Sequence, residues 1–491
     1  MKAILAIDQG TTSTRAIIFS TSGDKIFSSQ LELKQYFPKN GWVEHNPNEI
    51  WSKTLKVIRK VTKKCIRKKI NILTIGITNQ RETTVLWDKT NGRPVYNAIV
   101  WQDRRTEDFC KRLKANNKES KIRKKTGLFL DPYFSATKVR WIIKNVPKTK
   151  KLIKEKKLLF GTIDTFLIWK LTNGKVHATD ATNACRTMLF NINSNKWDKE
   201  ILKLFGIPKN ILPEVKNSAD NFGVTKKSII GSSIPINGVV GDQQAATIGQ
   251  CCFSPGSVKS TYGTGAFVLM NTGSKKIFSK NKLLTTICYR INNKTTYALE
   301  GSIFVAGAGV QWIRDKIKLI NNAYETEKIA KSKKNNNGVY LVPAFTGLGA
   351  PYWSPNSRGV LSGLTRNTDW KDIVRAVLES VAYQSFDLFK AMNRDGLKPR
   401  VVKVDGGMVS NNWFSQFLSD ILGIKVIRPK IHETTALGAA FMAGLYIGEF
   451  NSIKSISKIW KIDKRFSPMI NKSIKIKLLK GWEQAIKKTL I

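Results

Sequence analysis

The chain has 491 residues, 83 Lys+Arg against 35 Asp+Glu for a formal net charge of +48, and 42% hydrophobic residues. That length exceeds what one hydrophobic core supports, so two or more domains are expected, and the apolar fraction excludes a wholly disordered chain. No run approaches the roughly 18 apolar residues of a membrane helix, which argues against stable membrane insertion. The apolar run that opens at Ala3 stops at Asp8, too short for a secretory signal, so a cytoplasmic location is the expectation. Six cysteines without a CxxC pair make no disulfide framework, and the scattered His45, His177 and His432 make no Cys/His zinc site. Any metal is expected to be a hard cation on oxygen ligands.

In chain order, residues 4–7 read as a strand, Asp8-Gln9-Gly10-Thr11-Thr12 as a turn, 15–19 as a second strand and 25–30 as a third. Across 52–70, Trp51, Leu55, Ile58, Val61 and Cys65 recur at helical spacing while lysines fill the other positions. This predicts an amphipathic helix with a solvated basic face, and 151–157 and 474–488 share the pattern. The charge is thus spread along the chain rather than gathered in one arm. Together with the abundance of Lys, Asn and Ile, whose codons are A/T-rich, it reads as genome composition, and no specific nucleic-acid partner is expected. So large a charge still favours anionic ligands and loose polyanion binding at low salt.

A second segment follows the plan of the first. Gly238-Val239-Val240-Gly241 precedes Asp242-Gln243-Gln244, and 256–260 leads through Thr261-Tyr262-Gly263-Thr264-Gly265 to a strand at 266–270. Each segment pairs β runs with a Gly/Thr turn and a carboxylate, which predicts two related α/β domains, 1–249 and 250–491. Further on, 401–404 reads as a buried strand ending in Asp405-Gly406-Gly407. Asn411-Asn412 opens a helix to Leu422 that Gly423 stops, and a helix near 435–447 carries Gly438, Ala439 and Ala440, small enough for close packing.

Three of these stretches carry chemistry. Asp8 at a strand end, Gly10 for a tight turn and the hydroxyls of Thr11, Thr12, Ser13 and Thr14 suit a phosphate cradle, with Arg15 adding charge; the bland alternative is a hairpin turn. Asp242 with Thr264 in the second Gly/Thr turn repeats the cradle, so two domains clamp one nucleotide polyphosphate, and Asp8 and Asp242 face each other to hold Mg²⁺ or activate a hydroxyl. In Asn79-Gln80-Arg81-Glu82, an adjacent Arg–Glu pair offers donors and acceptors suited to vicinal hydroxyls, with Trp101 and Tyr133 as walls. Taken alone, that pair reads as a surface ion pair.

Together these motifs resemble the FGGY carbohydrate kinases, and within them the glycerol-phosphorylating members, over essentially the whole chain. The resemblance runs from Asp8-Gln9-Gly10-Thr11-Thr12-Ser13 through Gly41-Trp42-Val43-Glu44-His45, Asn79-Gln80-Arg81-Glu82, Asn97-Ala98-Ile99-Val100-Trp101-Gln102 and Gly241-Asp242-Gln243-Gln244. It continues with Tyr262-Gly263-Thr264-Gly265, Phe345-Thr346-Gly347-Leu348-Gly349-Ala350-Pro351 and Asp405-Gly406-Gly407, and both family signatures fall at 133–145 and 359–379. The resemblance implies two actin-like, RNase-H-type domains around a central cleft and ATP- and Mg²⁺-dependent phosphorylation of glycerol to glycerol 3-phosphate. It implies that Arg81, Glu82, Tyr133, Asp242 and Gln243 hold glycerol, with Trp101 and Phe267 along its carbon edge, and that Asp242 is the general base. Thr11, Thr12, Ser13, Arg15 and Thr264 meet the phosphates, Gly307, Gln311, Gly407 and Asn411 shape the nucleoside pocket, and Asp8 and Asp242 reach the metal.

The chain departs from the family pattern at two places. Bacterial members often carry a Gly-rich, Arg-containing loop that binds the inhibitor fructose 1,6-bisphosphate; here 225–235 has one Gly and no Arg, so this control is expected to be weak or absent. Residues 467–481 are Lys/Ile-rich and lack the acidic residues expected for docking a phosphotransferase regulator. A homo-oligomer, dimer or tetramer, is expected from the family. The alternatives are another polyol or sugar kinase of the family and a non-enzymatic actin-like nucleotide switch, which has no need of Arg81-Glu82 beside Tyr133 and Trp101.

Overall fold

The computed structural model describes residues 1–354 and 356–490, and its strands form two principal sheets. In the first, β1 (Lys2–Gln9), β2 (Ser13–Ser20) and β3 (Lys25–Glu32) make an antiparallel meander, and β4 (Asn71–Asn79) and β5 (Ile236–Gly241) add in parallel on the other side of β1. The order is β5-β4-β1-β2-β3. Residues 3–7 of β1 are buried on both faces, as a strand covered by helices on two sides must be. Ala3, Leu5 and Ile7 point to the core under helix α1 (Pro47–Arg67), while Ile4 and Ala6 point to a second core on the opposite face.

Helix α1 starts earlier than its apolar spacing predicts. The Asn46 side chain accepts from Asn48 N at 2.9 Å and Pro47 opens the first turn, where its missing N–H costs nothing. The buried stripe accordingly centres on Ile50, Val57, Ile58, Val61 and Cys65, leaving Trp51 and Leu55 half-buried. The basic stretch near 151 is helical only over Lys148–Lys154, before the chain turns into a strand at Leu158–Gly161. Helix α2 (Ser135–Asn145) follows the Tyr133 turn, and helix α3 (Asp242–Gly249) leaves the end of β5.

The second sheet contains β6 (Val258–Tyr262), β7 (Ala266–Gly273), β8 (Leu284–Ile291), β9 (Lys294–Ile303), β10 (Val401–Asp405), β11 (Lys425–Pro429) and β12 (Ile462–Phe466), in the order β8-β9-β7-β6-β10-β11-β12. Its inner five strands, β9-β7-β6-β10-β11, repeat the pairing senses of the first sheet one for one. The two-domain α/β fold expected from the motifs is therefore present as a topological duplication. One detail differs from the expectation. Gly238 to Gly241 belong to β5 at the edge of the first sheet, and the second repeat begins only at Val258. Asp242 is thus not the positional counterpart of Asp8, although the two share a turn-plus-carboxylate pattern.

Helices α4 (Gly307–Asp315), α5 (Trp370–Arg394) and α6 (Asn412–Leu422) serve the second half, and α6 ends at Gly423 in the left-handed region as predicted. Helix α7 (Thr434–Tyr446) crosses back to cover the inner face of the first sheet, so the two halves interlock. Small residues make this possible. A Cβ on Gly76 would lie 2.3 Å from Ala439 O, and one on Gly438 would lie 1.8 Å from Ala245 O of α3. Helix α8 (Lys472–Thr489) buries Trp482, Ala485 and Ile486 and leaves Lys472, Lys477, Lys480, Lys487 and Lys488 exposed. Among the described residues no helix is long and apolar enough to cross a membrane.

Candidate active site

Three adjacent strands of the first sheet end side by side. Asp8 near the end of β1 is in register with Thr78 of β4, and the β4 end at Asn79 pairs with Gly241, which directly precedes Asp242. Carboxyl ends of adjacent parallel strands are where α/β sheets place their ligands. Just beyond β4, Glu82 has φ +60°, an uncommon conformation for a non-glycine residue. It is pinned there because Ser135 Oγ at the start of α2 donates to Glu82 O at 2.9 Å and Arg186 Nε donates to Glu82 Oε1 at 2.6 Å.

Arg81 and Glu82 are both about 2% exposed, so they are not the surface ion pair that two adjacent charges suggest in isolation. The Arg81 fork points inward. Nη1 donates to Glu300 Oε2 at 2.7 Å and to Gln244 Oε1 at 3.1 Å, Nη2 donates to Glu300 Oε1 at 2.9 Å, and Nε lies 3.0 Å from Asp242 Oδ1. Those hydrogen bonds occupy three of its five N–H bonds, leaving Nε–H and one on Nη2 uncommitted. The Nε edge of Arg81 faces Asp242, so the guanidinium ties the end of β4 to the start of α3. Arg186, wholly buried, links Glu82 to Glu300 with Nη2 3.2 Å from Glu300 Oε1 and stacks its guanidinium 5.4 Å from the Tyr133 ring. Glu300 and Arg186 escaped the sequence reading. Each stands in an unremarkable stretch, and only the duplication brings β9 of the second half beneath residues of the first.

The other predicted substrate residues pack against one another or against buried partners. Trp101 packs edge-on against Tyr133 (5.6 Å between centroids) and against Phe267 of β7 (6.1 Å), so aromatic rings from both halves meet. Trp101 Nε1 also donates to Thr11 Oγ1 at 2.9 Å, tying this wall to the first Gly/Thr turn. Lys138 of α2, fully buried, donates to the Tyr133 backbone carbonyl at 2.7 Å and fixes the main chain there. Gln243 Oε1 accepts from Lys259 Nζ at 2.5 Å.

Both Gly/Thr turns are hairpin turns. The first, between β1 and β2, is closed by Gly10 N donating to Ser13 O at 2.9 Å and leaves Thr12 exposed. The second, between β6 and β7, has Gly263 N donating to Gly265 O at 2.9 Å, with Thr264 exposed. Its carbonyls accept from the start of α4: Gly307 N donates to Gly263 O and Ala308 N to Thr264 O. Gly406 (φ +94°) brings the Asp405–Gly407 turn onto the end of β6, where a Cβ would lie 2.4 Å from Tyr262 O; Gly407 next to it faces open space. Thr264, Gly307 and Gly407 thus surround one corner, and Gln311 is exposed one turn along α4. Asn411 spends its side chain capping α6, accepting from Phe414 N at 2.9 Å, and donates to Thr326 Oγ1 at 3.2 Å, so it shapes this corner through the backbone it fixes. Arg15, opposite Asp8 in register, pairs with Glu433 at 2.8 Å, a partner the sequence reading did not find.

Burial raises the Asp242 carboxyl above its ordinary range against the pull of Arg81 and Lys259. Burial also raises Asp8 to about 6, with Arg15 opposing and Glu433 and Asp242 adding to the rise. Asp242 is thus close enough for its charge to be felt at Asp8. Among the described residues no three His, Cys, Asp or Glu side chains gather into a metal cage. One or two carboxylates beside a phosphate site is the donor set of Mg²⁺, which takes its remaining ligands from phosphates and water.

Family models match almost the entire chain: the N-terminal domain of the FGGY family of carbohydrate kinases over residues 3–249 and its C-terminal domain over 258–446. Glycerol kinase 1 of Pseudomonas aeruginosa is 55% identical over 99% of this chain and 98% of its own length, and glycerol kinase of Marinomonas sp. is 56% identical over 98% of each. The crystal structure of Plasmodium falciparum glycerol kinase with ADP superposes with a TM-score of 0.93 at 41% identity, covering 100% of this chain and 99% of that one. Gluconate kinase from Lactobacillus acidophilus has a TM-score of 0.87 at 22% identity, over 99% and 97% of the two chains, and shares the fold.

Proposed function

Because the chain belongs to the FGGY family of carbohydrate kinases, we infer that it transfers the γ-phosphoryl group of ATP to the terminal hydroxyl of glycerol, giving sn-glycerol 3-phosphate. The observation that carries this reading is the meeting of Asp242 with the Arg81–Glu82 neighbours, which Arg186 joins to the Tyr133 ring of an aromatic wall tied to the first Gly/Thr turn. Asp242 is the general base: the substrate hydroxyl gives it a proton as the hydroxyl oxygen attacks the γ-phosphorus in line. Its position at the start of α3 and beside Arg81 Nε fixes the carboxylate before reaction, so no reorganisation is needed as the proton moves. Glu82, anchored by Arg186, accepts from a substrate hydroxyl, and a free N–H of Arg81 donates to another. The aromatic wall covers the carbon edge and keeps water from competing as the acceptor.

The hydroxyls and amides of Thr11, Thr12, Ser13 and Thr264, with Arg15, receive the phosphates, and Gly307, Gln311, Gly407 and Asn411 line the nucleoside corner. Asp8 and Asp242 would hold Mg²⁺, which neutralises phosphate charge when bound. We assign the two domains to 1–249 and 250–491, a cytoplasmic location and a homo-oligomer of two or four chains. Fructose 1,6-bisphosphate and phosphotransferase-regulator control are assigned as lost: residues 227–230 form one helical turn ended by Gly231, with no arginine within it.

A coupled ADP-release assay under Mg-ATP with glycerol, dihydroxyacetone, erythritol and xylulose tests the reading. Glycerol is expected to give the highest kcat/KM. A higher value with another polyol would reassign the substrate, and no glycerol-stimulated ADP release would leave a nucleotide switch.

A further inference from the structure

Lys259 stands second on β6 and is wholly buried, yet among the described residues no carboxylate lies within ion-pair distance of it. Its ammonium instead gives its three N–H bonds to Gln243 Oε1 at 2.5 Å, Thr261 Oγ1 at 2.9 Å and Phe267 O at 3.3 Å. Two of those acceptors belong to residues of the substrate cavity. One is on α3, which springs from the first sheet, and the other is on β7 of the second. Burying an ammonium is costly unless every donor is satisfied, so a lysine here needs a reason beyond packing.

We propose that Lys259 is a positioning residue that fixes the orientation of the Gln243 amide and so sets the hydrogen-bond polarity of the substrate cavity. The chemistry of an ammonium dictates the direction. Lysine only donates, so the Gln243 atom facing it has to be the carbonyl oxygen, and the amide cannot turn over without placing NH₂ against NH₃⁺. Nε2 of Gln243 is thereby held away from Lys259, and among the described residues it donates to nothing. The cavity then presents an obligate donor at Gln243 and an obligate acceptor at Glu82, the pairing that reads a polyol in one orientation. The same ammonium clamps the main chain at Phe267, the aromatic wall contributed by the second half. Burial pushes Lys259 down to about 8, with Asp405 and Asp242 pulling it back up, so at neutral pH it keeps the three protons this geometry uses. The proposal rests on the polyol-kinase reading above.

A double-mutant cycle tests it: Lys259→Met, Gln243→Ala and the double variant, each measured for glycerol KM, ATP KM, kcat and Tm. Lys259→Met should raise glycerol KM roughly 3- to 10-fold, the effect of one neutral hydrogen bond, with ATP KM unmoved. In the Gln243→Ala background the same change should add less than about twofold to KM, because the group it positions is gone. Independent, multiplying effects would overturn the proposal, as would an unchanged KM in Lys259→Met. If that variant does not fold, Gln243→Glu decides. A carboxylate keeps Lys259 paired and holds Tm, but presents no donor, so glycerol KM must still rise; an unchanged KM refutes the proposal. A wild-type chain that turns over no glycerol would instead remove the underlying kinase reading.

Discussion

Glu300→Gln isolates the buried charge network beneath the cavity. The carboxylate is fully buried, takes both Nη groups of Arg81 at 2.7 and 2.9 Å, and lies 3.2 Å from Arg186 Nη2. The amide is isosteric, so packing stays and only charge and acceptor capacity change. Burial pushes Glu300 up, but Arg186 and Arg81 outweigh it and bring the carboxyl from 4.5 to about 2. At 1.36 kcal/mol per pH unit, that displacement is worth about 3 kcal/mol. The direct figure for breaking a buried pair, roughly 3–5 kcal/mol, agrees. The sign follows from the lowered pKa. The contribution is complete above about pH 4.5 and fades as pH falls through 2. Urea unfolding at several pH values is the assay. Glu300→Gln should be less stable than wild type by about 3 kcal/mol at pH 7, with the gap closing toward pH 2. Glycerol KM should rise, because Arg81 loses the partner that orients it. A difference under about 1 kcal/mol at pH 7 would show that the network is electrostatically inert and refute the reasoning.

Asp242→Asn should retain glycerol binding while kcat falls by at least ~100-fold, the usual scale for a general base; near-normal turnover removes Asp242 from that role. Glu433→Gln releases Arg15 from its 2.8 Å partner, so ATP KM should fall by up to roughly 5-fold, the range of a half-exposed pair; a raised KM would mean that Glu433 positions Arg15 rather than competing with phosphate. Gly438→Ala places a methyl 1.8 Å from the Ala245 backbone oxygen, which cannot rotate aside, and should lower stability by at least ~2 kcal/mol in a chemical melt; an unchanged melt would mean that α3 and α7 slide apart freely.

Much of the molecule was written locally. The β1–β2 and β6–β7 turns were legible because Gly and Thr cluster there between apolar runs, and the α6 stop because Gly423 takes a positive φ that other residues avoid. The predicted substrate residues were legible as motifs, and the structure brings Arg81 against Asp242 and Trp101 against Tyr133 and Phe267. The start of α1 was missed because the capping signal at Asn46-Pro47 lies outside the apolar period used to find the helix.

Residue order alone thus determined the fold class and where the carboxylates and Gly/Thr turns stand along the chain, since those depend on side-chain chemistry and on turns of a few residues. Tertiary structure alone decided which charges meet. Arg81 and Glu300 are separated by 219 positions, Arg15 and Glu433 by 418, and no local pattern marks either pair. Those contacts exist because two copies of one sheet are pressed together by α3 and α7. Where burial is complete, as at Arg81 and Glu300, an unpaired charge is costly, so its partner is found wherever along the chain it lies.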